Sequence, residues 1–227
     1  MSKTLLAKLL LAFLLLGSTT AEAQLFKKKN KKSEKTGEKP DDKKDKIKPY
    51  DKVITEEAIS DEGLFTTHQV DDKHFYEIPD SLFNKEMLMV TRISKTASGI
   101  GFGGGKINTQ VLRWEKKPKK VLLRVVSYNI VAADSLPVHE AVLNSNFEPV
   151  LFAFDIKAFK KDSLSPATVI ELDDFFIKDQ LALGMPDFYR ERYKVSRLDE
   201  SRSYIESIKS YPKNIEARHV KTYLAKE

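Results

Sequence analysis

A β-hairpin between Asn108 and Ala133 constrains the fold of everything around it. The segment reads NTQVLRWEKKPKKVLLRVVSYNIVAA. Leu112 and Trp114 alternate with Arg113 and Glu115, the period of a half-buried strand. Lys116-Lys117-Pro118-Lys119-Lys120 forms the turn, because Pro118 has no N–H for a ladder and the four lysines favour water. Val121-Leu122-Leu123 and Val125-Val126 place apolar groups on both faces, which predicts a central strand covered on both sides. The hairpin also holds the only tryptophan in the 227 residues. A β-rich module built on this spine is expected.

The flanking segments extend that pattern. Glu62-Gly63 opens a hairpin in which Leu64 to Val70 and His74 to Ile78 flank the turn Asp71-Asp72-Lys73. Before it, the mixed stretch Pro49 to Ser60 predicts a short helix. Pro79-Asp80-Ser81 predicts a short helical turn through Lys85, capped by the Asp and Ser oxygens. Met87 to Ile93 is an apolar strand, and the loop Gly99 to Gly105 leads into the central hairpin. Beyond the hairpin, Asp134-Ser135 starts a short helix with Pro137 early in it and Asn144 to Asn146 ending it. Val150 to Phe159 alternates as a strand, Lys160 to Ala167 is a loop, and Thr168 to Ile177 is the returning strand. Gly184-Met185-Pro186 breaks the pattern. Leu198 to Tyr211 predicts a helix, with Tyr204, Ile205, Ile208 and Tyr211 on one side and Pro212 as the stop. Ile215 to Tyr223 is a last strand with no obvious partner. Strands joined by short turns outnumber helices and βαβ alternation is absent, so the expected class is α+β, mainly antiparallel β-sheet with short helices.

Residues 1–23 read as a signal peptide. Lys3 supplies the positive start, Leu9 to Leu16 the apolar core, and Ala21-Glu22-Ala23 a small-x-small cleavage site before Gln24. The apolar core is short for a bilayer span, so the chain is expected to be exported, periplasmic or extracellular, and not an integral membrane protein. Residues 24–48 form a Lys-rich tail. Lys27 to Lys48 holds 11 lysines against five carboxylates, with too little apolar surface to offset the entropy of ordering. A solvated spacer is expected, the alternative being a tether in weak contact with anionic surfaces such as lipid or polysaccharide. The tail accounts for the formal net charge of +6, and the remainder is near neutral. A neutral body argues against nucleic-acid binding, which needs basic residues clustered on the fold. The absence of cysteine removes disulfides, thiolate zinc sites, cysteine nucleophiles and a lipidated N-terminal cysteine.

Several motifs invite chemistry and do not sustain it. Gly99-Ile100-Gly101-Phe102-Gly103-Gly104 matches GxGxxG, but a dinucleotide site needs a helix N-terminus next, and the following residues alternate like a strand. A P-loop fails too, since Gly105-Lys106 is followed by Ile107. A strand connector whose glycines permit positive φ is expected. None of His68, His74, His139 and His219 falls in H-x-x-x-H or H-x-H spacing, so no zinc pair is ready-made. His68 and His74 are expected to be exposed on their hairpin, and His139 to serve as a cap or surface group. Asp173 and Asp174, read as neighbours on a strand, point to opposite faces and form no dyad. Asp134 with Glu140 is a second acid pair. No G-x-S-x-G is present. Tyr189, Tyr193, Tyr204, Tyr211 and Tyr223 are expected to pack beneath a sheet. No catalytic, cofactor-binding or metal-binding residue is assigned. A small enzyme would require a polar cluster converging from Asp173, His139 or His219.

Longer blocks carry a resemblance. The run KPYDKVITEEAISDEGLFTTHQVDDKHFYEIPDSLFNKEMLMVTRISKT is similar to the short leader domain of large secreted zinc-dependent metallopeptidases of Gram-negative bacteria. The glycine loop, VLRWEKKPKKVLLRVVSY, AADSLPVHEAVLNSNFEPVLFAFDI, TVIELDDFFIKD and LDESRSYIESIKSYPKNIEARHVKTYL resemble the domain of unknown function that follows it there. The blocks run in unbroken order from about Lys48 to Leu224. The resemblance implies a small leader domain over 49–96 and a β-rich domain over 97–227, incomplete at its C-terminus. In that family, catalysis belongs to a downstream domain with an H-E-x-x-H helix that binds zinc. This sequence has no such motif, so no zinc is implied for this chain. The expected role is a non-catalytic N-terminal region that supports or covers a catalytic domain, supplied downstream or by a split gene product. The alternative is a stand-alone exported β-rich module that binds peptide or glycan.

Overall fold

The structure, a computed structural model, describes residues 47–226. The expected signal peptide and most of the Lys-rich tail lie outside the described residues.

The central hairpin forms, but its second strand ends at Val126, so Ser127 to Ala133, read with it from the sequence, lie outside it. β5 (Lys106–Lys116) and β6 (Lys120–Val126) pair antiparallel, with Trp114 opposite Leu123, and the N–H of Lys117 donates to the carbonyl of Lys120 at 2.8 Å to close the turn. Val121 and Leu123 are fully buried on the inner face, while Leu122 and Arg124 on the outer face are half-buried. Ahead of it come β1 (Ile59–Asp61), β2 (Thr66–Val70), β3 (Lys73–Pro79) and β4 (Glu86–Arg92), and behind it β7 (Val150–Lys160) and β8 (Ala167–Glu171). These eight strands make one antiparallel sheet in the order β1-β2-β3-β8-β7-β6-β5-β4. Residues before Thr96 therefore supply both edges of the sheet, and later residues supply its middle.

That order forces the sheet to curl. β3 and β4 stand five steps apart, about 24 Å in a flat sheet at ~4.8 Å per strand, yet only Asp80 to Lys85 join them. Part of that link is coiled into a 3-10 turn, Asp80–Leu82, so a flat sheet is out of its reach. Asp80 makes no capping bond there. It instead receives Lys116 Nζ at 2.7 Å and Thr168 Oγ1 at 2.9 Å, tying the two sides of the curl together. Asn84, at φ 60°, donates its N–H to the Trp114 carbonyl at 2.8 Å; Asn tolerates the left-handed region better than most residues.

Inside the curl, Phe65, Tyr76, Ile78, Trp114, Val121, Leu123, Phe154, Ile156 and Ile170 form the main core. Its rings meet edge to face or tilted from Phe65 through Tyr76, Trp114 and Phe154 to Phe175, the geometry that ring quadrupoles favour. A smaller cluster on the outer face packs Val53 and Ile54 against Phe75, Ala158 and Val169. A 3-10 turn, Tyr50–Lys52, holds this N-terminal segment against the strands.

The C-terminal third departs from the sequence expectation. Leu198 to Tyr211 is not a helix: β9 (Val195–Ser210) is a long strand, and it is the antiparallel partner of β10 (Ile215–Ala225). The strand expected to lack a partner has one in the segment read as helical. The pairing shifts register between Arg218/His219, Val220/Thr222 and Leu224/Ala225, and such bulges break the two-residue period. Inward positions then run Leu198, Ser203, Ile205, Ile208, Ser210, an uneven spacing that imitates a helix face. Likewise, Thr168 to Ile177 is not one strand. β8 stops at Glu171, and Asp173 and Asp174 begin a short helix, α2 (Asp173–Ile177), that buries Phe175 and Phe176. The other helices are α1 (His139–Ser145) and α3 (Asp187–Arg192). The described chain is thus mostly β, with few short helices.

The β9–β10 hairpin lies against the curl, with Ile205, Ile208, Ile215 and Ala217 on the main core. Its tip is fixed beside β1. Leu64 N–H donates to the Tyr211 carbonyl at 2.8 Å, Ser210 N–H to Asp61 Oδ2 at 2.8 Å, and Ser210 Oγ to the Phe65 carbonyl at 2.6 Å.

Candidate functional site

Two places on the outer surface concentrate chemistry or exposed apolar area. The first is a polar cluster on β1, β2 and β3. With Asp71 at φ 52° making a tight turn, His68 pairs with Phe75 and Gln69 with His74, so His68 and His74 do not face each other. Side chains in a strand alternate faces, so Phe75 and Glu77 point outward while Tyr76 and Ile78 point into the core. Glu77 is buried there under Tyr50. Its carboxylate receives the Tyr50 hydroxyl, Lys160 Nζ at 2.7 Å, and His68 Nε2 at 3.3 Å. Burial opposes ionisation of Glu77, but hydrogen bonds from His68, Lys160 and Tyr50 outweigh it and hold the carboxyl down at about 2. Tyr50 is pushed well above the usual phenol range by burial and by its bond to Glu77. Ser60, exposed on edge strand β1, lies opposite His68 with Oγ 2.7 Å from Nδ1. The expectation that His68 is exposed is overturned: it is 5% exposed, because the outer face of this part of the sheet is covered by the chain from Tyr50 to Ala58.

The second place is apolar. Glu86, Leu88 and Val90 share the outer face of β4, and Leu88 is 67% exposed. The 23-residue excursion between β6 and β7, which contains α1, leans on this face through the Tyr128 hydroxyl bonded to Glu86 and through Arg113, which contacts both Glu86 and Glu148. Along it Ile130, Val131, Leu136, Val138, Leu143 and Phe147 are exposed. Leu88 and Val90 thus stand exposed on an edge strand of the sheet, and the excursion carries further exposed apolar side chains.

The other singled-out residues go elsewhere. His74 is half-buried, and Asp173 reaches it from the start of α2, accepting its N–H at 2.9 Å and lying 3.1 Å from Nδ1. His139 Nδ1 meets the Ala132 carbonyl at 2.9 Å. His219 donates from Nε2 to the Leu183 carbonyl at 3.2 Å, leaving a buried Nδ1 without a partner, and burial lowers its basicity. Asp173, His139 and His219 thus each have separate partners. Asp174 pairs with Lys178 on the surface, and no bond joins Asp134 to Glu140. The glycine loop is exposed and leads into a strand; Gly99, Gly101 and Gly104 take positive φ, and Tyr193 ties the loop to the end of α3 through the Ile100 carbonyl at 2.6 Å. Of the five tyrosines expected beneath a sheet, Tyr189, Tyr204 and Tyr211 are exposed, whereas Tyr223 is half-buried and accepts the Met185 N–H. Lys221, pressed against the carbonyls of Ile177 and Lys178, is lowered by burial to about 8.

An open groove of about 530 Å³ runs along the hairpin tip past Lys116, Lys117, Phe159, Lys160 and Lys161. Three of its four lysines are engaged: Lys116 with Asp80, Lys117 with Glu115, Lys160 with Glu77. Among the described residues no three His, Asp or Glu side chains converge as a metal cage, and no helix is long and apolar enough to cross a membrane. The Ser60–His68–Glu77 line was not anticipated from sequence. A glutamate within the otherwise apolar run from Phe75 to Pro79 was the available signal, since such a carboxylate needs partners.

Among the described residues the fold is mostly β, and Leu88 and Val90 on β4 are exposed apolar side chains. Residues 104–227 match the family described as a domain of unknown function, DUF5117, and residues 47–96 match a second domain of unknown function, DUF5118. The first match covers more than half of the chain, and the chain belongs to the DUF5117 family. No curated protein and no solved structure matches it.

Proposed function

We propose that this chain is the non-catalytic N-terminal region of an exported zinc-dependent metallopeptidase-like protein, and that it supports or covers a catalytic domain carried by another polypeptide or segment. The carrying observation is the apolar outer face built from Leu88, Val90 and the β6–β7 excursion, the kind of surface that soluble chains bury against a polypeptide partner. The ordered blocks that resemble secreted metallopeptidases give that partner its chemistry. The zinc belongs to the partner; no ligand set is assigned to this chain.

The test is co-expression with an exported H-E-x-x-H polypeptide encoded beside this gene, followed by size-exclusion chromatography. A stoichiometric complex that is lost on Leu88→Lys is expected. Absence of any complex, or zinc-dependent peptide hydrolysis by this chain alone, contradicts the proposal. A second reading, an independent peptide-binding module, draws on the open edge of β4, to which an extended peptide could add as a further strand. Saturable binding of an extended peptide, blocked by Val90→Pro, would favour it over the first.

A further inference from the structure

We infer that Ser60 is an activated hydroxyl, with His68 as its general base and Glu77 as the carboxylate that orients the base, and that it captures acyl groups from small activated esters. The three residues stand on adjacent strands. Ser60 and His68 are direct cross-strand partners, with Oγ 2.7 Å from Nδ1. His68 Nε2 lies 3.3 Å from Glu77 Oε2. A nucleophile in reach of a base, itself held by a third group, is the general signature of an activated nucleophile.

The direction of the hydrogen bonds follows from the carboxylate. Glu77 is ionised, accepts from Tyr50 and Lys160, and has only lone pairs to offer. Nε2 of a neutral His68 must therefore carry the ring proton and donate it to Glu77. Nδ1 is then a bare lone pair, and among the described residues the group placed against it is the Ser60 hydroxyl, which donates. Burial excludes water from the imidazole and the carboxylate, while Ser60 remains exposed on the sheet edge. The arrangement thus points a polarised hydroxyl outward from a dry base.

In the step, Ser60 Oγ attacks the ester carbonyl carbon. The Oγ–carbon bond forms as the bond to the phenolate leaving group breaks. The hydroxyl proton passes to His68 Nδ1, the imidazolium is stabilised by Glu77, and the proton then goes to the departing phenolate. Ester and hydroxyl become acyl-serine and phenol, with no change of oxidation state. The hydroxyl sits on an open edge, so the substrate class is small activated esters, and the product is a stoichiometric acyl-serine. This chemistry is independent of zinc and of the docking role proposed above.

The test treats the full chain with p-nitrophenyl acetate and maps acylation by mass spectrometry. Ser163 and Ser165, exposed on the β7–β8 loop, serve as internal controls without an imidazole partner. Ser60 is expected to acylate about 100-fold faster than either, the scale of general-base assistance, and to slow in heavy water. Ser60→Ala, an exposed change, removes the label, and His68→Gln brings Ser60 down to the rate of the loop serines. The heavy-water measurement needs no variant, so it stands even where His68→Gln disturbs the fold. Acylation of Ser60 no faster than Ser163 and Ser165, acylation of lysines only, or a rate equal in light and heavy water would overturn the assignment.

Discussion

Phe65 and Trp114 meet edge to face with ring centroids 6.0 Å apart, although Phe65 leads into β2 and Trp114 lies on β5, five steps away in the sheet. The contact exists because the sheet curls round on itself and places both rings in one core. Tyr76, on β3, bridges them at 5.5 Å from Phe65 and 6.4 Å from Trp114. Phe65 and Tyr76 belong to the DUF5118 segment, and Trp114 to the DUF5117 segment.

A chain beginning at residue 97 is therefore expected to lack a cooperative thermal transition. It loses β1 to β4, which leaves β8 and β5 as raw edges and removes Phe65, Tyr76 and Ile78 from the core. Circular dichroism on heating checks this. A sharp transition matching that of the whole chain would mean the two segments fold independently.

Gly63 lies tightly against the tip of the β9–β10 hairpin. A Cβ there would lie 2.5 Å from Ser210 Oγ and 2.7 Å from the backbone N and O of Tyr211. Backbone atoms cannot rotate away, so Gly63→Ala is expected to cost about 2 kcal/mol, as overpacking does. Urea denaturation of the variant measures it, and a change within about 0.5 kcal/mol would place the hairpin tip elsewhere.

Glu77 should set the acid limit of stability. Its folded carboxyl titrates at about 2 against an ordinary value of 4.5. A carboxyl with a depressed folded pKa stabilises the fold fully above its unfolded pKa, and that contribution disappears as pH falls through the folded value. Stability is expected to fall between about pH 4.5 and 2. Glu77→Gln should cost about 3 kcal/mol at neutral pH, because it leaves a buried partner set without its charge, and should flatten the acid limb. Denaturation curves across this range decide it; an acid limb equally steep in the variant would assign the effect to other carboxylates.

Legibility in the sequence followed the regularity of the strand period. The hairpin from Lys106 to Val126 was readable because Leu112 to Glu115 alternate, an apolar run follows, and Pro118 with its lysines favours a turn. β9 was not, because three bulges offset its inward residues, and Tyr204, Ile205, Ile208 and Tyr211 fell by accident on a helical spacing. Asp173 looked like the continuation of a strand because Phe175 and Phe176 are as apolar as Val169 and Ile170; the bonds from Asp173 back to His74, and from the N–H groups of Phe175 and Phe176 to the Leu172 carbonyl, mark the turn into α2. The curl itself was hidden, since strand order depends on long-range pairing such as β3 with β8 that no local pattern encodes. The polar cluster stayed hidden for the same reason: Ser60, His68 and Glu77 are neighbours only once the register of three strands is known, and the cover that buries His68 comes from Tyr50 to Ala58.

The most direct test of the curled sheet is a double-mutant cycle on Phe65→Leu and Trp114→Phe, read by urea denaturation. Rings in edge contact are expected to be coupled by about 1 kcal/mol. Strictly additive losses would mean the two rings do not touch, and the sheet would have to be opened out.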